Sequence, residues 1–142
     1  NDINGHLLGD EALKKVALSL ESNLRKADIV ARYGGEEFVI LLPEIDKANA
    51  GQVAEKLRSN IAGKSFPREQ YLPNKNLTIS IGFATFPEDS THGKELLELA
   101  DQALYQAKTE GRNRVISYQS SMIPVVKSNI LHMEPKSIAA GE

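Results

Sequence analysis

The sequence predicts an α+β domain in which helices pack on a mainly antiparallel sheet. Three observations carry that prediction: three stretches place apolar residues at helical spacing, four shorter stretches have strand character, and a glycine pair joins two of the strands. At 142 residues the chain is long enough to bury roughly 68–70% of its unfolded surface, so one core is expected.

The first helix is expected to follow Gly9-Asp10, where Leu13, Val16, Ala17, Leu20 and Leu24 recur along one face. Asp10 is placed to cap it, and Glu11 complements the positive end of the helix dipole. Two apolar runs, Asp28–Tyr33 and Phe38–Leu42, flank Gly34-Gly35-Glu36-Glu37 and read as a β-hairpin that Pro43 ends. A second helix carries Ala50, Val53, Ala54, Leu57 and Ile61 on one side. Gly63–Asn76, rich in Pro, Lys and Asn, reads as a loop. Leu77–Thr85 alternates, with Leu77, Ile79, Ile81 and Phe83 on one face and Thr78, Ser80, Gly82 and Ala84 on the other. A third helix from Lys94 to Thr109 turns Leu96, Leu97, Ala100, Ala103, Leu104 and Ala107 inward, with Gly111 as its C′ residue. Arg114–Tyr118 is a short last strand, which closes a domain over residues 1–118. Gln119–Glu142 has no pattern long enough to assign and reads as a partly disordered tail.

The order α-β-β-α-β-α-β becomes a ferredoxin-like β-α-β-β-α-β core with an appended α-β once a strand stands ahead of the first helix. In that topology the added strand lies inside the sheet, and its absence leaves a gap flanked by unpaired backbone. The sequence opens on Asn1 without a Met, and the strand is expected from a segment before it.

Composition removes several function classes. Cysteine is absent, which excludes a disulfide framework, a thiol nucleophile, a Cys-based zinc site and an iron–sulfur cluster. A net charge of −2, from 17 Lys+Arg against 19 Asp+Glu, argues against binding a nucleic acid polymer. The alternating strand also offers no row of exposed aromatics on which RNA bases could stack. Any nucleotide site must come from a few placed residues. The longest apolar run, Phe38–Leu42, is far short of the ~20 residues that span a bilayer. The domain reads as cytoplasmic, with any membrane tether outside the sequence.

Gly34-Gly35-Glu36-Glu37-Phe38 is the sharpest chemical signal. Glycines let backbone N–H groups approach a phosphate closely, and adjacent carboxylates hold a hard cation that shares its oxygens with phosphates. The plainer alternative is a hairpin tip solvated by two glutamates. Lys108 and Arg112, four apart, project from one face of the third helix and read as cations at a helix C-terminus. Arg25 and Asp28, taken alone, read as solvated surface at a helix end.

Gly34-Gly35-Glu36-Glu37-Phe38 resembles the GGDEF signature, in its GGEEF form, of the diguanylate cyclase family. Asn1-Asp2-Ile3-Asn4-Gly5-His6-Leu7-Leu8-Gly9-Asp10 resembles the family's NDxxGHxxGD stretch, Thr78–Gly82 its TxSxG strand, and Ala100–Lys108 with Gly111-Arg112-Asn113 its ADxALYxAKxxGRN ending. The similarity runs from Asn1 to Tyr118 in the family's order, and it implies a nucleotidyl-cyclase-like sandwich.

The resemblance implies that two GTP molecules, one on each of two facing domains of a homodimer, are joined into cyclic di-GMP with release of two pyrophosphates. It implies that Glu36 binds Mg²⁺ or Mn²⁺ and assists deprotonation of the ribose 3′-OH, and that Glu37 supports the metal–phosphate cluster. Gly34 and Gly35 would lie against the triphosphate, Asn1 and Asp10 would read guanine, His6 would face the same region, and Lys108 and Arg112 would contact phosphates. Arg25-Lys26-Ala27-Asp28 matches the family's RxxD site for inhibition by the product, although Lys56 stands where the family has a secondary arginine. The family's metal-binding Asp lies on its first strand, so weak or no turnover is expected from the sequence without that strand. An upstream sensor or receiver domain is the implied controlling partner. The alternative is a catalytically silent domain that binds GTP or cyclic di-GMP as a regulatory module.

Overall fold

The computed structural model describes residues 3–64, 77–120 and 137–141. Its elements are α1 (Ile3–Ser22), β1 (Ile29–Arg32), β2 (Phe38–Leu41), α2 (Lys47–Ala62), β3 (Ser80–Ala84), α3 (Gly93–Thr109), β4 (Val115–Ser117) and β5 (Ser137–Gly141). The α+β class and the helices packed on a sheet are as the sequence predicts. The Gly63–Asn76 loop falls mostly outside the described residues.

Apolar periodicity explains which faces are covered. Ala12, Leu13, Val16 and Leu20 of α1 and Ala50, Ala54, Leu57 and Ile61 of α2 form one core with Phe38, Ile40, Ile81 and Phe83 of the sheet. The Asn60 amide donates to the Asn23 side-chain oxygen at 3.0 Å, tying α2 to the chain just after α1. Asp46 caps α2 by accepting from the Asn49 backbone N–H at 2.8 Å, which satisfies a donor at the open end of the helix.

The opposite sheet face is covered by α3, through Leu96, Leu99, Ala100 and Leu104. Gly82 makes that approach possible. A Cβ there would run into the Leu104 backbone nitrogen and lie 2.5 Å from the Ala100 carbonyl oxygen. The small residues predicted for one face of this strand are therefore buried under a helix, and β3 is buried throughout.

Three expectations are corrected. The first concerns α1, which begins at Ile3 and not after Asp10. Helical hydrogen bonding runs through Gly9, whose cost of about 1 kcal/mol relative to Ala weakens a helix without stopping it. Asp10 is therefore an exposed mid-helix residue and not the cap.

The second concerns strand direction. The sheet order is β1-β2-β5-β3-β4, and only β1 and β2 pair antiparallel. The β3–β4 pair is joined through α3, and a crossover of that kind gives parallel strands. The third concerns the tail. Ser137–Gly141 is a strand, and it lies between β2 and β3. Coming from the C-terminal end of the chain, it runs parallel to both neighbours.

Candidate active site

The hairpin between β1 and β2 sets the site. Arg32 pairs with Phe38, and the Tyr33 N–H donates to the Glu37 carbonyl at 2.7 Å, leaving Gly34, Gly35 and Glu36 as the tip. The Arg32 Nε donates to the Gly35 carbonyl at 2.9 Å and pins the turn from its own strand. Gly35 is exposed, a Cβ on it would meet nothing within 4 Å, and its backbone is not left-handed. Neither packing nor conformation requires glycine here, so the bare backbone leaves open room beside the turn.

The two glutamates are not a solvated tip. Glu36 is 6% exposed and Glu37 is fully buried. Both Glu37 carboxylate oxygens are buried without a hydrogen-bond partner among the described residues. Burial pushes this carboxyl up to about 7, the negative charge of Asp101 pushes the same way, and the positive charge of Lys108 opposes both. A buried carboxylate lacking donors is suited to a hard cation, which supplies the missing positive charge. Among the described residues no group of three or more His, Cys, Asp or Glu gathers to hold a metal, so Glu36 and Glu37 would share such an ion with ligands from elsewhere.

Asp101 lies within the Ala100–Lys108 stretch, where the sequence alone assigns it no role. It is 3% exposed on α3, two helical turns before Lys108 and therefore on the same face. Its signal was in the sequence: an acidic residue set among Ala100, Ala103 and Leu104 on a face that is otherwise apolar.

The expected shared face of Lys108 and Arg112 is corrected as well. The helix ends at Thr109, so Arg112 does not share a helical face with Lys108. Gly111, at φ 122°, takes the predicted C′ position: its N–H donates to the Lys108 carbonyl at 3.3 Å, and the Arg112 N–H donates to the Ala107 carbonyl at 2.9 Å. Arg112 and Asn113 follow in left-handed conformation. The corner is held by Asn113, whose N–H donates to Ser80 Oγ at 3.2 Å and whose side-chain oxygen accepts from Arg58 at 2.7 Å.

Other predicted residues stand apart. Asp10 lies exposed on α1, His6 falls within α1 where only the backbone is described, and Asn1 lies outside the described residues. Arg25 and Asp28 sit at the far end of β1, about 20 Å along the strand from the turn at ~3.3 Å per residue. They close on each other: Arg25 donates to Asp28 at 2.7 Å from its guanidinium and at 2.7 Å from its backbone N–H, and also reaches the Pro43 carbonyl at 2.6 Å. Burial pushes the Asp28 carboxyl up, but the Arg25 hydrogen bonds and charge outweigh it and hold it below the usual carboxylate range.

Comparison with known proteins places this geometry. The family described as "Diguanylate cyclase, GGDEF domain" matches residues 1–114. The chain is 42% identical over 116 residues to the response regulator PleD of Caulobacter vibrioides, covering 82% of this chain and 26% of that protein. It is 44% identical over 116 residues to diguanylate cyclase A of Treponema denticola, covering 81% and 30%. Among solved structures it is similar to the GGDEF domain of TpbB (YfiN) from Pseudomonas aeruginosa, with TM-score 0.66, 29% identity, and 80% and 66% of the two chains covered. A GGDEF domain of DgcB from Caulobacter crescentus in complex with c-di-GMP matches with TM-score 0.59 and 28% identity over 79% of this chain and 66% of that one. The chain spans roughly a quarter to a third of the two relatives' length. Similarity of this depth over four-fifths of the sequence shows that the chain belongs to the GGDEF family of diguanylate cyclase domains.

Proposed function

We propose that this domain condenses two GTP into cyclic di-GMP, releasing two pyrophosphates, with one GTP held by each domain of a homodimer. The observation that carries the reading is the buried Glu36–Glu37 pair beside the open Gly35 backbone, with Lys108 close enough to bear on the Glu37 charge. Nothing in a purely structural hairpin calls for two buried carboxylates at its tip.

In this reading Glu36 and Glu37 hold Mg²⁺ or Mn²⁺, which neutralises phosphate charge when bound. Glu36 takes the proton of the ribose 3′-OH. The freed oxygen forms a bond to the α-phosphorus of the facing GTP, and the bond from that phosphorus to the pyrophosphate oxygen breaks in line. The same exchange on the second GTP closes the ring. Lys108 and Arg112 bind the phosphates, Lys as a point charge and Arg as a fork. Asp10 accepts from the guanine N1–H and amino group, and its place in mid-helix leaves it clear of capping duty. Arg25 and Asp28 bind the product and inhibit turnover, which requires their mutual pair to open. An upstream sensor or receiver domain brings two copies face to face.

A second reading is binding of GTP or cyclic di-GMP without turnover. Chromatography of GTP and Mg²⁺ incubated with the chain extended upstream through the strand expected ahead of α1 separates the two. Cyclic di-GMP with pyrophosphate in twofold excess is expected. Tight cyclic di-GMP binding with no product would establish the second reading, and neither product nor binding would defeat both.

A further inference from the structure

Arg112 stands on backbone that its own chemistry does not favour. Gly111, Arg112 and Asn113 follow one another at positive φ, 122°, 64° and 51°. Glycine adopts that region freely and asparagine tolerates it, but the Cβ of an arginine crowds the following carbonyl there. Such a conformation persists where the surrounding structure holds it.

The hold comes from two elements distant in sequence, and both act on Asn113. Its N–H donates to Oγ of Ser80, the first residue of β3, at 3.2 Å. From α2, the Arg58 Nη1 donates to the Asn113 side-chain oxygen at 2.7 Å. Arg58 is itself fixed, since its Nε and Nη2 donate to the two carboxylate oxygens of Glu55 at 2.9 and 2.6 Å. With Nε, Nη1 and Nη2 all engaged, the planar guanidinium is held in one orientation, and Glu55 balances its charge. An arginine so occupied is poorly suited to grip a phosphate itself. It is well suited to hold a neighbour in place.

We infer that Arg58 is a positioning residue for the triphosphate: by gripping Asn113 it holds the left-handed corner that presents Arg112 to the phosphates. The inference rests on the proposed reading of Arg112 as a phosphate ligand. Asn113 follows Arg112 directly in the chain, so a corner released from α2 carries the Arg112 backbone with it. A forked contact to phosphate tolerates little displacement, because both N–H groups must point at their oxygens together. Arg58 therefore acts on the ligand at one remove, from a helix that the proposed chemistry does not otherwise use.

A double-mutant cycle read by binding provides the test. The chain extended upstream through the strand expected ahead of α1 is titrated calorimetrically with α,β-methylene-GTP and Mg²⁺, so that affinity is measured without turnover. Arg112→Ala is expected to weaken binding about 30-fold, through loss of charge-assisted hydrogen bonds. Arg58→Met keeps the apolar stem and removes the donors, and is expected to weaken binding about tenfold. Asn113→Gly takes a positive φ without strain but has no oxygen for Arg58, and should match that loss. It leaves α2 unaltered, so it carries the test should Arg58→Met fail to fold. In the Arg112→Ala background neither second substitution should change affinity by more than about twofold, because the residue being positioned is gone. A full further loss in that background would overturn the inference, since Arg58 would then act on the ligand directly or on the fold at large. Unchanged affinity in Arg58→Met and Asn113→Gly, with Arg112→Ala still weakened, would overturn the inference and leave the phosphate role of Arg112 standing. Unchanged affinity in Arg112→Ala would remove that role, and the inference with it.

Discussion

Glu37 shows how a single side chain can be costly to the fold and useful to the site. Its carboxyl is pushed up to about 7, above the value of 4.5 that it has when unfolded. The folded chain therefore binds more protons than the unfolded one between those limits, and its stability falls as pH rises through that window. In chelator the loss is on the order of 3 kcal/mol, and Glu37→Gln is expected to abolish it. Urea unfolding at pH 4 and pH 8 checks both statements. The same substitution should lower GTP turnover by about 100-fold or more with an unchanged circular dichroism spectrum. At the other end of β1, Asp28→Ala removes the acceptor of the Arg25 fork. It should relieve inhibition by cyclic di-GMP while leaving the initial rate intact, as progress curves with and without added product would show.

Among the elements, α3 depends most on one residue of another. Gly82 lets it lie directly on β3, and α3 carries Asp101 and Lys108 toward the hairpin. Gly82→Ala is expected to destabilise the fold by about 3 kcal/mol or more, because the clash is with backbone and not with a side chain that can turn away. Thermal unfolding would measure the loss. Weaker GTP binding should accompany it, since displacing the helix moves Lys108. The alternation from Leu77 to Thr85 makes the strand legible in the sequence. That its small-residue face receives a helix is not legible, because a run of Ser, Gly and Ala reads equally well as a solvent face. Likewise the 3.6-residue period and Gly111 locate α3 and its end at Thr109, whereas the left-handed turn at Arg112 and Asn113 depends on the anchoring of Asn113 by Ser80 and Arg58.

For the molecule as a whole, the proposed reading of one GTP per domain would make catalysis a meeting of two copies. Below the dimer dissociation constant, doubling the chain concentration should raise the initial rate about fourfold, by mass action. A rate rising only in proportion would mean that one copy suffices. No helix among the described residues is long and apolar enough to cross a membrane.

The sequence by itself determined the helices and the hairpin through apolar period, the helix stop at Gly111, and the glycine–glutamate turn with its family resemblance, because each is a local pattern with a local cause. Tertiary structure alone decided that Glu36 and Glu37 are buried, that Asp101 joins Lys108 near them, and that Arg25 and Asp28 close on each other. It also decided that a five-residue strand from the far end of the chain fills the middle of the sheet. Burial and charge coupling depend on which elements meet. The pairing of β5 depends on backbone groups that every sequence carries, so no residue pattern announces it.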